Sequence, residues 1–224
     1  MANKKELAAE FIGSMFLVLA SVASMVMFTH VFYASKGVAV LANAVAVGFV
    51  LIALIEVFGG ISGAHFNPVV TMVMLLDKKI TTAKAALYVI VQFIGGIAGV
   101  VAANAMFQSE IGMLLAVSDN MRSHTFLGEV FGTFILVLAI ILLVKAGSQK
   151  ISIIIGMLVG GMLLSTSSTM FANPQVTVAR MLTPTASGIR PVDGLVFIAM
   201  QVLGALVAFA AYKLIFDKER RKAM

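Results

Sequence analysis

The chain has 224 residues, of which 61% are apolar and 12% are charged, and its mean hydropathy is +1.06. Soluble globular domains are about 45–50% apolar and about 25% charged, so this composition excludes that class, together with disordered, collagen-like and coiled-coil chains. The chain has no cysteine, which excludes disulfides, thiol catalysis and cysteine-based metal sites. At about 20 residues a span, the length accommodates about six transmembrane helices. We therefore expect an integral membrane protein.

Apolar runs, taken in chain order, predict six transmembrane helices and two shorter segments. The predicted spans are residues 7–29, 38–58, 83–107, 126–145, 151–164 and 194–216. The shorter segments, 68–76 and 174–182, each begin with the proline of an Asn-Pro pair. Segments too short to cross are tolerated at membrane depth only where they line a cavity enclosed by protein, so we expect both to be re-entrant.

The basic residues predict the orientation. Twelve of the sixteen fall on one side of a six-span topology: Lys4, Lys5, Lys78, Lys79, Lys84, Lys145, Lys150, Lys213, Lys218, Arg220, Arg221 and Lys222. The positive-inside rule then places both termini in the cytoplasm. We expect a multi-pass protein of the cell membrane, inner or plasma. The net charge of +6 is thus accounted for by topology, and no nucleic-acid partner is expected.

Internal repeats predict the architecture. Residues 9–20 (AEFIGSMFLVLA) match 128–139 (GEVFGTFILVLA), and 65–71 (HFNPVVT) match 171–177 (FANPQVT). Three spans and one short segment therefore occur twice, in repeats of approximately 1–108 and 120–217 within a single transmembrane channel domain, 1–224. Because three is odd, the second copy is inverted, an arrangement typical of transport proteins with a site near the membrane midplane.

The two Asn-Pro pairs predict where the site lies. Asparagine is a favoured helix N-cap and proline a favoured first helical residue, so each pair marks the start of a half-helix. Inversion brings the two positive helix N-termini together at the midplane, where they oppose cations. The amides of Asn67 and Asn173 are also placed to donate hydrogen bonds to a passing solute. Two ordinary turns are the alternative, which the matching positions in an inverted repeat disfavour.

These motifs together resemble the major intrinsic protein family, the aquaporins and aquaglyceroporins, over nearly the whole chain. The resemblance rests on Ala9-Glu10, Ser62-Gly-Ala-His-Phe-Asn-Pro68, Gly128-Glu129, Asn173-Pro174 and two Gln-x-x-Gly segments. It implies an all-α membrane protein with six transmembrane helices and two re-entrant half-helices in an inverted repeat. It also implies a right-handed bundle with one pore per subunit and a homotetramer. The chain departs from the family's Asn-Pro-Ala signatures at Val69 and Gln175, so its pore signature comprises Asn67, Pro68, Val69, Asn173, Pro174 and Gln175.

Counting from the signature asparagines, as the resemblance implies, places the selectivity filter at Val47, Gly161, Met170 and Val176. The filter of water-selective members contains an aromatic residue, a histidine and an arginine, and none of these occurs here. The resemblance implies a wide, weakly polar opening, similar to that of bacterial channels associated with arsenic resistance. Arg180 lies one helical turn beyond Val176 on the same face, and we expect it not to reach the pore.

The remaining polar candidates have competing interpretations. Glu10 and Glu129 are intramembrane carboxylates, which often mark function; the family layout implies that they accept hydrogen bonds from the re-entrant loops. His65 is expected in the vestibule, whereas Glu56 is equally compatible with a vestibule position and with a solvated helix end. Nothing in the sequence resembles a metal site, a phosphate loop or a nucleophile–base pair, so we expect no enzyme activity, cofactor or metal.

The sequence thus favours a passive channel for small uncharged solutes. The expected solutes are water, glycerol-like polyols and neutral metalloid hydroxides such as arsenous acid (arsenite). The rival hypothesis is a proton-coupled secondary transporter that uses Glu10, Glu56 or Glu129, because inverted repeats and broken helices occur in that class too.

Overall fold

The structure is a computed structural model that describes residues 2–122 and 124–217. Over these residues the chain is helical, without a β-strand. Nine α-helices follow one another: α1 Lys4–Val26, α2 Lys36–Ser62, α3 Pro68–Leu76, α4 Thr82–Met106, α5 Gln108–Ile111, α6 Phe126–Lys145, α7 Ile151–Ser165, α8 Pro174–Arg180 and α9 Pro191–Ala211. Short π-helical turns at Met27–Val31 and Tyr212–Phe216 extend α1 and α9.

Local capping signals explain where several of these helices begin. Asn3 and Glu6 form a reciprocal capping box at the start of α1. The side chain of Thr81 caps α4, and asparagines cap α3 and α8 with proline at the first helical position. The half-helices therefore begin where the sequence predicts.

Each of the six predicted spans corresponds to a helix. Five helical stretches of the described chain are long and apolar enough to cross a membrane: Lys4–Val31, Lys36–Ser62, Thr82–Met106, Phe126–Lys145 and Pro191–Phe216. The sixth, α7, is apolar but has 15 residues, fewer than the about 20 that a full span requires. It ends where its apolar run gives way to serine and threonine, and the chain then turns back toward α8.

Ion pairs gather several helix ends at one end of the bundle. Lys84 at the start of α4 lies 2.8 Å from Glu6 in α1. Asp77, which follows α3, lies 2.8 Å from Lys213 and 3.8 Å from Lys145. We call this the terminal end, because both the first and the last described helices reach it. Of the basic residues used to predict orientation, Lys218, Arg220, Arg221 and Lys222 lie outside the described residues.

Glycines permit close packing between helices of the bundle. A Cβ on Gly95 of α4 would overlap the carbonyl oxygen of Phe11 in α1, and one on Gly204 of α9 would overlap that of Val130 in α6. The α1–α4 and α6–α9 pairs are therefore packed in the same way. Small residues at such crossings let helix backbones approach, which is a common basis of helix association in membranes.

Candidate solute pore

The loop that leads into α3 is held by a buried carboxylate. Glu10, in α1, is fully buried and accepts hydrogen bonds from the backbone N–H groups of His65 (2.9 Å) and Phe66 (2.8 Å). It also accepts from the hydroxyl of Ser62 at 2.6 Å and from the amide of Gln92 at 2.8 Å. The carboxylate thus satisfies donors that would otherwise be buried without a partner.

A second carboxylate holds the loop that leads into α8 in the same way. Glu129, in α6, is fully buried and accepts from the backbone N–H groups of Phe171 (2.9 Å) and Ala172 (2.8 Å). The amide of Gln201 donates to it at 2.6 Å. The two carboxylates therefore occupy matching positions in the two halves of the bundle.

The two loops share an unusual backbone conformation. Ala64, Phe66, Met170 and Ala172 have φ values of +49°, +46°, +36° and +48°, in the left-handed region that non-glycine residues seldom adopt. Such residues cost on the order of 1–3 kcal/mol each and persist where the surroundings impose them. Here the N–H groups of Phe66 and Ala172 donate to the carboxylates, and those of Ala64 and Met170 donate to serine hydroxyls. The loop carbonyls of Phe66 and Ala172 then accept hydrogen bonds from the asparagines of the half-helices.

The two half-helices meet end to end through their asparagines. The Asn67 side chain accepts a hydrogen bond from Val69 N–H (3.0 Å) and donates to the carbonyl of Ala172 (2.9 Å). The Asn173 side chain accepts from Gln175 N–H (3.2 Å) and donates to the carbonyl of Phe66 (2.8 Å). Each asparagine therefore caps its own half-helix and ties it to the opposite loop, which brings the positive ends of α3 and α8 together.

A cavity of about 490 Å³ passes this meeting point. Its wall includes Ser148 and Gln149 near the terminal end, Asn67 and Asn173 in the middle, and Arg180 toward the opposite end. Apolar side chains of α1, α2, α3, α6 and α7 line much of the remaining wall. Neutral polar molecules can exchange hydrogen bonds with the asparagine amides along this route, whereas cations meet two helix N-termini.

Three of the four residues assigned to the filter, Val47, Met170 and Val176, lie in the cavity wall, as does His65. The Nδ1 of His65 lies 3.0 Å from the hydroxyl of Thr71, and its ring packs edge-on against Tyr88. Of the pore signature, only the two asparagines line the cavity in the described structure.

Gly161, the fourth residue that the sequence assigned to the filter, does not line the cavity. It is exposed and lies in a separate outer groove between α2 and α7. The α7 residue in the cavity wall near this level is Leu163, which is 4% exposed. Two residues turn a helix by about 200°, so counting from Asn173 across the connection selected the opposite face of α7. The sequence signal for the correct face of α7 is a spacing of three or four residues between the residues that line the cavity. These are Ser152, Ile155, Val159 and Leu163.

Arg180 is a further difference from expectation, because it does reach the cavity wall. Glu56 also lies in the wall, near the terminal end, and accepts a hydrogen bond from the hydroxyl of Ser152 at 2.7 Å. Of the two interpretations open for Glu56, the structure favours the vestibule position.

The two substituted signature positions point away from the cavity. Gln175 donates to the carbonyl of Phe66 at 3.2 Å, and its Oε1 occupies the space left by Gly96 of α4. Val69 belongs to an apolar cluster that includes Ala205 of α9. Gly96 and Ala205 each come directly after one of the two equivalent Gln-x-x-Gly segments. The larger signature side chain, Gln175, is paired with glycine, and the smaller one, Val69, is paired with alanine. Gln175 therefore leaves the meeting of the half-helices intact.

A membrane bundle whose cavity passes between two opposed half-helices defines a channel-type membrane protein. Residues 1–171 match the family described as Major intrinsic protein. Aquaglyceroporin AqpS of Rhizobium meliloti (strain 1021) is 35% identical over 216 residues, which cover 95% of this chain and 90% of that protein. Probable aquaporin PIP2-2 of Oryza sativa subsp. japonica is 35% identical over 143 residues, covering 58% of this chain and 49% of that protein. The chain belongs to the major intrinsic protein family.

The aquaglyceroporin of Plasmodium falciparum has a similar structure, with a TM-score of 0.72 over 97% of this chain and 98% of that one. At 19% sequence identity, this similarity shows the fold alone. The family resemblance and the fold class predicted from the sequence, an all-α membrane bundle with two re-entrant half-helices, are both confirmed.

Proposed function

We propose that the protein is a passive channel for water and small uncharged solutes such as glycerol, without a cofactor or enzymatic activity. The observation that carries this proposal is the pair of asparagine-capped half-helices whose N-termini meet beside one continuous cavity. Amides there offer hydrogen bonds to neutral solutes, and the helix dipoles disfavour cations. The names of relatives such as AqpS, an aquaglyceroporin, support the same class of solute.

The solute range follows from the proposed constriction. We assign it to Val47, Leu163, Met170 and Val176, with Leu163 in place of Gly161. All four side chains are apolar, so the constriction selects against charge and does not require an exact pattern of hydroxyl groups. Neutral metalloid hydroxides such as arsenous acid are therefore proposed as substrates beside polyols.

We further propose a homotetramer in the cell membrane with both termini cytoplasmic, built from inverted repeats at approximately 1–108 and 120–217. The lysines at the terminal end support this orientation. Exposed apolar side chains on the outer faces of α2 and α7, Leu41, Val45, Phe49, Ile153 and Met157, suit contact with lipid or with another subunit.

The hydrogen bonds weigh against the rival hypothesis of a proton-coupled transporter. Glu10 accepts from four donors and Glu129 from three, so both carboxylates are already engaged as fixed acceptors. Glu56 is exposed near the terminal end and has no matching carboxylate in the second half.

Stopped-flow measurements on proteoliposomes test the proposal. We expect water, glycerol and arsenite to cross without saturation, with a weak dependence on temperature and no dependence on a pH gradient. Protein-free liposomes supply the background rate. Solute uptake that saturates and requires a pH gradient would establish the coupled transporter instead.

A further inference from the structure

We propose that Arg180 determines selectivity in this pore: its guanidinium repels cations and donates hydrogen bonds to the oxygen atoms of neutral solutes. The inference rests on the proposed channel function and adds a residue that the apolar constriction lacks. Arg180 is the last residue of α8 and is 3% exposed, yet it lines the same cavity as Val176, one helical turn away.

The guanidinium is held in a fixed orientation. Its Nε donates to the carbonyl of Ser187, and its central carbon lies 3.7 Å from the centre of the Phe171 ring. The backbone carbonyl of Arg180 also accepts from Ile189 N–H at 3.1 Å. Stacking on an aromatic face and a hydrogen bond at Nε fix the plane of the guanidinium and do not use the N–H groups of the two terminal nitrogens.

Those terminal nitrogens have no acceptor elsewhere in the part of the chain that the structure describes. Only Ser187 accepts a hydrogen bond from the Arg180 side chain, and no described carboxylate forms an ion pair with it. Glu129, which lies behind the same loop, is committed to the backbone of Phe171 and Ala172. A buried, unpaired charge is costly unless water or a polar solute reaches it. The cavity supplies that contact.

A second arginine provides the contrast. The Cζ of Arg122 lies 5.2 Å from the same Phe171 ring, but Arg122 is outside the cavity wall. Its side chain donates to the backbone carbonyls of Ser168, Ala186 and Gly188. Arg122 therefore ties the surrounding loops together, whereas Arg180 lines the cavity and keeps the donors of its terminal nitrogens unpaired within the described chain.

The physical consequence is a separation of tasks along α8. Val176 leaves the constriction apolar, and Arg180 supplies positive charge and donors one turn farther from the midplane. A cation passing this level meets the guanidinium in addition to the two helix N-termini. A polyol that sheds water there regains hydrogen bonds to its oxygens, and these are stronger than neutral ones because the donor is charged.

Two substitutions separate the charge from the donor geometry. Purified Arg180→Gln and Arg180→Lys are reconstituted into liposomes, and K⁺ leak and the glycerol-to-water permeability ratio are compared with those of the parent. We expect Arg180→Gln to raise K⁺ leak by about tenfold or more, because one unit charge beside the path is lost. Arg180→Lys keeps the charge and should stay tight to K⁺, but its ratio should fall because an ammonium lacks the planar fork.

Arg122→Gln is the matched control, since it removes an arginine from the same ring without changing the cavity wall. It should lower thermal stability and leave K⁺ leak unchanged. Equal leak from Arg122→Gln and Arg180→Gln would overturn the proposal, because loop disruption would then explain both. Arg180 variants with lower stability but with the K⁺ leak and the glycerol-to-water permeability ratio of the parent would also overturn it.

If Arg180→Gln does not fold, the glycerol-to-water permeability ratio of Arg180→Lys decides the proposal. A parent that conducts neither water nor glycerol refutes the channel function itself, before any variant is compared.

Discussion

At the scale of single residues, the proposed constriction is a place where we expect one side chain to change selectivity. Val176 is buried beside the cavity in the first turn of α8 and has an apolar side chain. An arginine there would narrow the opening and stand one turn from Arg180, with the same sign of charge. The size of the opening and its charge would therefore change together.

We predict that Val176→Arg reduces glycerol and arsenite permeability strongly while part of the water permeability remains. An added barrier of only about 1.4 kcal/mol lowers a rate about tenfold, and bulky solutes meet more of that barrier than water does. The measurement is the ratio of solute to water permeability in liposomes. Val192→Arg, on an exposed position of α9, is the control. An unchanged or higher ratio in folded Val176→Arg would show that Val176 does not face the constriction.

A second residue-scale prediction concerns the pairing of Gln175 with Gly96. A methyl group on Gly96 would overlap Gln175 Oε1, so Gly96→Ala should destabilise the protein by about 1–3 kcal/mol through overpacking. Gln175→Ala in the same chain should recover most of that loss. Thermal unfolding in detergent measures all four members of the cycle. Gly37→Ala, where the added methyl meets open space, is the control. Strictly additive effects would contradict the proposed contact.

At the scale of elements, the two re-entrant segments depend on side chains from other helices. Each loop contains left-handed residues that isolated chains disfavour, and each is fixed by a carboxylate on α1 or α6. The strained backbone of each loop therefore depends on the carboxylate that holds it. Removing the anchor should release the loop.

We predict that Glu10→Leu or Glu129→Leu lowers the yield of folded protein. Each change leaves buried backbone N–H groups unpaired, at about 1–3 kcal/mol for each group. Size-exclusion chromatography and thermal unfolding in detergent report the loss. Glu56→Leu, which removes an exposed carboxylate, should fold like the parent. A Glu10→Leu or Glu129→Leu protein that folds normally and loses only pH-dependent flux would support the coupled-transporter hypothesis.

At the scale of the whole molecule, the absence of cysteine from the sequence predicts how the protein responds to mercury. Mercuric ion blocks a pore by binding a thiolate, and this chain contains no cysteine. Mercuric chloride at concentrations that spare the lipid should leave flux through the pure protein unchanged. Val176→Cys should make flux sensitive to mercury and restorable by thiols, whereas Val192→Cys should not. Thiol-reversible block of the parent protein would show that the measured flux does not pass through this pore.

Much of the fold follows from features that act over a few residues. Apolar runs, Asn-Pro caps and repeated Glu motifs predicted the helices, both half-helix starts and the inverted arrangement. These signals are local, because burial in lipid and helix capping depend on neighbouring residues. The separation of Glu10 from the loop it holds, 55 residues to His65, is bridged only in the folded bundle.

Only the tertiary structure decides how each helix is rotated about its own axis, and therefore which of its faces is turned toward the pore. Leu163 rather than Gly161 lines the cavity because helix packing and the length of the connection to α8 set how α7 is rotated. The same kind of long-range packing turns Gln175 toward Gly96 and lays Arg180 across Phe171. The sequence by itself determined which segments are buried and where they start. Which face of each segment meets the pore depends on contacts between distant residues, since two residues rotate a helical side chain by about 200°.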